Sequence, residues 1–187
     1  YSSGKQPVTL HTLAYFAGTG DVVDSSDGRG DRPDTGIAFI GDSICQNAKL
    51  LYGDWNTILG RSDCANYGIG GQTTLECRAR IGELAARNYR QIVFICGIND
   101  IGHGYTKEEI VQNYAAMIET VQASNPDCQL VILSTLPTTS AFYSGQQGKI
   151  TLLNLAFKRF ANKTPNVTFV DAYSAFCPKA GEYAYPE

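Results

Sequence analysis

The chain has 187 residues, 43% of them apolar and 18% charged, which is typical of one ordered globular domain. Its net charge is −3 and no run of Lys or Arg stands out, so nucleic acid is not an expected partner. The strongest apolar runs, "IVFIC" and "LVIL", are too short to span a bilayer, and no transmembrane segment is predicted.

The first segment of the chain, residues 1–36, is expected to be an N-terminal arm or irregular extension. Within it, "PVTLHTLAYF" alternates only in part, and residues 17–36 are rich in Gly, Asp and Ser. The domain proper is therefore predicted to occupy residues 37–187.

Beyond this extension, strand patterns alternate with helical ones. The run "IAFIG" at 37–41 predicts a buried strand, and a helix is expected near residues 44–52. A short strand in "CANYGIGG" runs into a glycine turn. Thr73 and Glu76 have the spacing of a capping box and mark the start of the next helix.

The second half of the chain continues this alternation. The run "RQIVFICG" is apolar throughout, as expected of a strand that is buried on both faces. Thr106 and Glu109 have the spacing of a second capping box, and the helix behind it should end at Asn125-Pro126. "CQLVILSTLP" predicts a fourth strand, Ile150–Phe160 an amphipathic helix, and "VTFVDA" a fifth strand.

Apolar strands that alternate with helices indicate right-handed βαβ units and a parallel sheet. The predicted fold class is α/β: a three-layer α/β/α sandwich around a parallel five-stranded sheet. Ligands of such sheets bind outside the carboxyl ends of the strands. The loops that follow the first three strands should therefore lie along one edge and form one site.

Each of these three loops offers a group that acyl transfer needs. Ser43 brings a hydroxyl to the start of a helix, where free N–H groups favour a developing oxyanion. Gly71 offers an unshielded backbone N–H, and Asn99 offers a side-chain amide. Each also has a purely structural interpretation: a helix N-cap, a glycine turn and an Asx-turn, respectively. Their occurrence on three successive strand ends favours the functional interpretation.

The same three loops resemble the SGNH hydrolases, also called GDSL-type esterases and lipases. "FIGDSI" is similar to the first block of that family, "NYGIGGQTT" to the second and "CGIND" to the third. The second block is especially similar to platelet-activating-factor acetylhydrolase-like members and to bacterial carbohydrate esterases of the family. The resemblance covers residues 37 to about 175, and it implies a flavodoxin-like fold.

The resemblance also implies a role for each loop residue. Ser43 would be the nucleophile, and Gly71, Asn99 and the Ser43 backbone N–H would donate to the oxyanion. Asp42 and Asp100 would support their turns. Gln72 stands where many members have Asp, a difference that affects the hydrogen bonds of the second block.

The general base is the one catalytic group that is not found at its expected position in the sequence. A serine hydroxyl needs an adjacent base, which the family takes from an Asp-x-x-His block after the fifth strand. Here the chain ends at "GEYAYPE", about where that block should begin, and the two histidines are His11 and His103. Four explanations stay open: a separate C-terminal segment that supplies the Asp-His pair, an inactive relative, His103 in the sequence Asp100-Ile101-Gly102-His103, or His11.

The predicted function is that of a serine esterase that forms an acyl-enzyme on Ser43. Its substrate would be a small-molecule, glycan or lipid ester with a short acyl group, such as an O-acetyl group; the loop at 139–149 would set specificity. No metal or organic cofactor is implied. The alternatives are an inactive SGNH-fold module that binds a carbohydrate or lipid, and a flavodoxin-like nucleotide binder that would give Ser43 and Asn99 no role.

The cysteines give information about the cellular location of the protein rather than about a catalytic or metal site. Six are present and none forms a CxxC pair, so a zinc site is not expected. Their even number and two glycosylation-type sequons, Asn162-Lys163-Thr164 and Asn166-Val167-Thr168, favour a secreted or extracytoplasmic protein. Cys96 is expected to be a free buried thiol inside the third strand, and any pairing of the cysteines is left open.

Overall fold

The computed structural model describes residues 36–52, 54–138 and 145–176. Five strands form one parallel sheet in the order β2-β1-β3-β4-β5. Their bounds are β1 Ile37–Gly41, β2 Cys64–Gly68, β3 Gln91–Ile95, β4 Gln129–Leu133 and β5 Val167–Val170. The helices of the described part are α1 Ser43–Tyr52, α2 Trp55–Leu59, α3 Thr74–Ala85, α4 Ile98–Gly102, α5 Lys107–Ser124, α6 Gln147–Ala161 and α7 Tyr173–Phe176.

The sheet separates two apolar layers, because successive strand residues point to opposite faces. One face packs against α3, α5 and α6, with Phe94, Tyr114 and Phe157 among its fully buried side chains. The other face packs against α1 and α2, where Phe39 stacks on Trp55 with ring centroids 4.1 Å apart. The predicted three-layer sandwich is confirmed.

The strand register brings the carboxyl ends of the central strands level with one another. Gly41, the last residue of β1, lies opposite Gly68 of β2 and Ile95 of β3. The chain moves from β1 to β2 on one side and then returns to β3 on the other. The connections thus reverse direction between β1 and β3, and such a switch point is where open α/β sheets bind ligands.

Most element boundaries agree with the sequence prediction. Both capping boxes are present, Thr73 with Glu76 at the start of α3 and Thr106 with Glu109 at the start of α5. The short helices α2, α4 and α7 were not predicted, and several predicted elements end at other residues. Helix α6 begins at Gln147 rather than Ile150, and Cys96 lies one residue beyond β3. Both errors fall at element ends, where apolar periodicity is least informative.

Several sequence features can be compared with the structure only in part. Cys45, Cys64, Cys77, Cys96 and Cys128 are free thiols, so the expectation for Cys96 is confirmed. The N-terminal extension 1–36, apart from its last residue, and the loop segment 139–144 lie outside the described residues, as do His11 and Cys177. Within the described ranges, no helix has the length and apolarity needed to cross a membrane, and no three metal-ligating side chains cluster.

Candidate active site

The first loop of the site is a tight turn from β1 into α1. Gly41 is required here because a Cβ at this position would lie 1.9 Å from the Ile95 carbonyl oxygen of β3. Asp42 then accepts a hydrogen bond from the Ile44 N–H at 2.9 Å and so caps the helix. Ser43 is the first residue of α1 and is partly exposed at the edge of the sheet. The first N–H groups of a helix have no acceptor within it, so they point towards this edge.

The second loop packs directly against the first. The Ile69 N–H donates to the Gly41 carbonyl at 3.0 Å, and the Gly70 N–H donates to Gln46 Oε1 on α1 at 2.8 Å. A Cβ at Gly70 would lie 3.8 Å from the Ser43 Cβ. The loop therefore lies beside the serine.

Gly71 has the backbone geometry that only glycine adopts without strain, with φ of +80°. It is exposed, and a Cβ at this position would have no heavy atom within 4 Å. Its peptide is thus accessible from solvent, one residue beyond Gly70, which packs beside Ser43. This is the environment required of a backbone oxyanion donor.

The third loop, after β3, reaches across to the second. Gly97 has a φ of +135° and turns the chain into α4, whose second residue is the buried Asn99. The Asn99 side-chain Nδ2 donates to the Gln72 carbonyl oxygen at 2.9 Å. The structure therefore brings Ser43, Gly71 and Asn99 together at one edge of the sheet. Their catalytic roles stay a prediction.

Asp100 supports more than its own turn, which is the role that the resemblance implies. Its buried carboxylate accepts from the Thr74 N–H at 3.0 Å and from the Thr74 hydroxyl, so it also caps α3. Asn113 Nδ2 of α5 donates to the same hydroxyl at 2.9 Å. Asp100 thus fixes the helix that follows the second loop to the one that carries Asn99. The contact between the two loops is additional to the turn role that the resemblance implies.

Two buried carboxyl groups lie behind the serine. Burial raises the pKa of Asp42 to about 6, and the nearby Asp100 charge contributes to the rise. Burial also raises the pKa of Asp100, against the lowering effect of its bonds to Thr74. Among the described residues Asp42 Oδ2 has no hydrogen-bond partner. Both shifts disfavour the ionised carboxylate, as expected where water is excluded.

His103 is an exposed residue at the carboxyl end of α4. Its ring Nδ1 lies 2.7 Å from the Asn99 carbonyl oxygen. The Asp-x-x-His sequence that ends at His103 forms no carboxylate–imidazole hydrogen bond, because both Asp100 oxygens accept from Thr74. In the described part of the chain no hydrogen bond joins His103 to Ser43. The structure therefore gives His103 the contacts of a helix-end residue.

Sequence reasoning missed several residues that shape the site. Gln46 lies one helical turn after Ser43, and that spacing alone could have placed it near the second loop. Arg80 contacts the same loop from α3, eight positions from Gln72, and no local pattern points to it. Ile44 and Ile69 are exposed apolar side chains beside Ser43 and Gly70, and they give the site an apolar rim.

The family follows from comparison with known proteins. Residues 39–186 match the GDSL-like Lipase/Acylhydrolase family. The chain belongs to this family. It is thus an SGNH-type member of a family of carboxylic ester hydrolases, as the sequence motifs indicate.

Individual relatives agree with this assignment. The chain is 26% identical over 160 residues to the platelet-activating factor acetylhydrolase IB subunit alpha2 of Gallus gallus, which covers 86% of this chain and 68% of that protein. The match to the human protein of the same name covers 62% of its length. The chain thus spans about two thirds of these relatives.

Solved structures support the same fold. A protein of Streptococcus pneumonia, provisionally named as a platelet activating factor, is 26% identical, with a TM-score of 0.64 and coverage of 94% of this chain and 78% of that one. A catalytic mutant of an acetylxylan esterase from Geobacillus stearothermophilus is 20% identical, with a TM-score of 0.54 and coverage of 76% of this chain and 78% of that chain. At this identity the second likeness concerns the fold alone.

Proposed function

We propose that this protein is a serine esterase that removes short acyl groups, such as acetyl, from a carbohydrate or lipid ester. The observation that carries the proposal is the contact between Asn99 Nδ2 and the Gln72 carbonyl, together with the packing of Gly70 against Ser43. These contacts hold a hydroxyl, a solvent-facing glycine peptide and a side-chain amide within one small region. That combination fits acyl transfer better than it fits the binding of a phosphate.

The proposed reaction follows from this arrangement. The Ser43 Oγ attacks the ester carbonyl carbon while its proton passes to a histidine base. The carbonyl π electrons move to oxygen, and the oxyanion is stabilised by the Ser43 N–H, the Gly71 N–H and Asn99 Nδ2. Collapse breaks the bond to the alcohol, which leaves with the proton, and water then releases the acid from the acyl-enzyme by the same steps in reverse.

The base in this proposal comes from outside the described residues. The His103 Nδ1 already contacts the Asn99 carbonyl, which does not leave it oriented by a carboxylate. His11, or a histidine on a separate C-terminal segment, would then take the proton.

The substrate class rests on two observations. The name of the Gallus gallus relative describes an acetylhydrolase, and that of the Geobacillus stearothermophilus structure an acetylxylan esterase. The exposed Ile44 and Ile69 beside the site would contact the apolar part of an ester. The two names favour a small acyl group, and the apolar rim would contact the rest of the ester.

The proposal is tested by labelling with a fluorophosphonate and by hydrolysis of p-nitrophenyl acetate. We expect the label on Ser43, and we expect Ser43→Ala to abolish both labelling and turnover. Ser62→Ala, at an exposed serine outside the site, serves as the matched control and should change neither.

Two further results decide between the open explanations. An unchanged rate in His103→Ala would locate the base elsewhere, as proposed, whereas a large loss would identify His103 as the base. Neither labelling nor turnover from a folded sample would contradict the enzyme proposal and favour the inactive binding module.

A further inference from the structure

We infer that Arg80 is a positioning residue that holds the two strand ends and the glycine loop of the site in register. This inference rests on the proposed function. One guanidinium group makes the contacts that support it. Nε donates to Gln72 Oε1 at 2.8 Å, and Nη2 donates to the Tyr67 carbonyl at 2.6 Å and to the Gly41 carbonyl at 3.4 Å.

Two of the three acceptors, in Gly41 and Gln72, lie within two residues of a predicted oxyanion donor. Gly41 precedes Asp42 and Ser43 at the end of β1, and Tyr67 precedes the last residue of β2. Gln72 follows Gly71, and its own carbonyl accepts from Asn99 Nδ2. A displacement of the Arg80 side chain would therefore be transmitted to Ser43 and Gly71 along at most two residues of backbone. It would be transmitted to Asn99 through one further hydrogen bond.

The chemistry of arginine suits this arrangement. A guanidinium carries five N–H donors in a rigid plane, so it can satisfy acceptors from separate segments at fixed angles. An ammonium group is a single point with donors that rotate, and it cannot reach the same three oxygens in the same way. Among the described residues, Arg80 donates to two carbonyl oxygens, an amide oxygen and the Cys77 sulfur, so these contacts are hydrogen bonds without a carboxylate partner.

Gln72 connects Arg80 to Asn99. Its side chain receives the Arg80 hydrogen bond, and its backbone carbonyl receives the Asn99 hydrogen bond. One residue thus links the arginine to the side-chain donor of the site. The neutral Gln72 amide accepts the guanidinium N–H at the position where many members of the family have Asp.

The expected effect of Arg80→Gln is on kcat rather than on KM. Misplacing a catalytic donor by about 1 Å costs on the order of a hundredfold in rate. We expect kcat for p-nitrophenyl acetate to fall roughly tenfold to a hundredfold, with KM changed less than about threefold. Arg159→Gln, an exposed arginine on α6, is the matched control and should leave both constants unchanged.

Arg80→Lys separates geometry from charge. A lysine keeps the positive charge but not the planar set of donors, so we expect kcat to stay low. Wild-type kcat in Arg80→Lys would overturn the inference, because charge alone would then suffice. An unchanged kcat in Arg80→Gln, with only the melting temperature lowered, would also overturn it.

A readout that does not depend on turnover distinguishes this inference from the proposed function. Hydrogen–deuterium exchange of the full chain should become faster in a peptide covering residues 68–73 of Arg80→Gln, with exchange in β3 and β4 unchanged. If the wild-type chain shows no hydrolysis, the proposed function fails, but faster exchange still supports the positioning contact. Unchanged exchange in this loop would contradict it.

Discussion

The Asn99 side chain donates to the Gln72 backbone carbonyl at 2.9 Å across 27 positions of the chain. This hydrogen bond joins the loop after β3 to the loop after β2. It fixes the orientation of a buried amide at the point where the sheet connections reverse direction. The candidate site therefore depends on a contact between loops as well as on the residues themselves.

Loss of the Asn99 amide should affect the rate strongly and the fold weakly. We expect Asn99→Ala to lower kcat on the order of a hundredfold to a thousandfold, as found when one oxyanion donor is removed. Asn99→Asp keeps the shape but replaces the Nδ2 donor with an acceptor, so it should lose at least as much. Steady-state kinetics alongside thermal melts would measure both. A rate within about threefold of the wild type in either variant would remove Asn99 from the site.

Asp42 should make stability depend on pH. Its pKa is raised from 3.8 to about 6, so the folded state binds this proton more tightly than the unfolded state does. The stability that the protonated carboxyl contributes is fully present below about pH 4 and is lost as the pH rises through about 6. An asparagine side chain at this position would not titrate and would suffer no such loss.

We therefore expect the free energy of unfolding of Asp42→Asn, relative to that of the wild type, to rise as the pH is raised from about 4 to about 7.5. The expected rise is on the order of 3 kcal/mol. Denaturant titrations at the two pH values would measure the gain. Asp54→Asn is a control of opposite sign, because the Thr57 N–H lowers the pKa of the exposed Asp54. A gain independent of pH would refute the assignment to Asp42 ionisation.

Thr74 should be needed for the buried contact between α3 and α4. Its hydroxyl donates to Asp100 and accepts from Asn113, so Thr74→Val would leave two buried polar groups without that partner. We expect a loss of about 2–3 kcal/mol in the free energy of unfolding. Thr74→Ser keeps the hydroxyl and should lose about 1 kcal/mol or less. Equal losses in both variants would show that the methyl group, not the network, is responsible.

Replacement by alanine should have opposite effects on stability at two glycines. Gly97 has a φ of +135°, and a Cβ there would lie 3.1 Å from Thr135 Oγ1 and 3.2 Å from Leu153 Cδ2. Gly97→Ala should therefore cost about 2–3 kcal/mol in unfolding free energy. Gly82 lies inside α3 with no heavy atom within 4 Å of a Cβ, so Gly82→Ala should gain about 0.5–1 kcal/mol. Urea denaturation of both variants tests the pair, and the same sign for both would contradict it.

Much of the fold was predictable because its signals are local. The apolar run from Ile37 to Gly41 and the capping boxes at Thr73 and Thr106 each involve residues a few positions apart. The parallel arrangement followed from the alternation of such elements. That arrangement is enough to predict that Ser43, Gly71 and Asn99 share one edge of the sheet.

The contacts within the site were not predictable in the same way. Asp100 looked like a turn residue, but it also caps a helix that starts 26 positions earlier in the chain. His103 looked like half of an Asp-His pair, but its Nδ1 lies against the Asn99 carbonyl. In each case the neighbouring residues suggest a local role for the side chain, but its hydrogen-bond partner depends on the tertiary fold.

Hydrophobic periodicity and helix capping act over a few residues, so the amino-acid sequence was enough to predict the five strands, the longer helices and the three polar groups that follow the first three strands. The contacts of Arg80 and Gln46 with the glycine loop, and the hydrogen bond from Asn99 to Gln72, follow instead from the way the whole chain folds. Those partners are set by the register of the sheet and by the packing of α1 and α3. Both are properties of the whole chain.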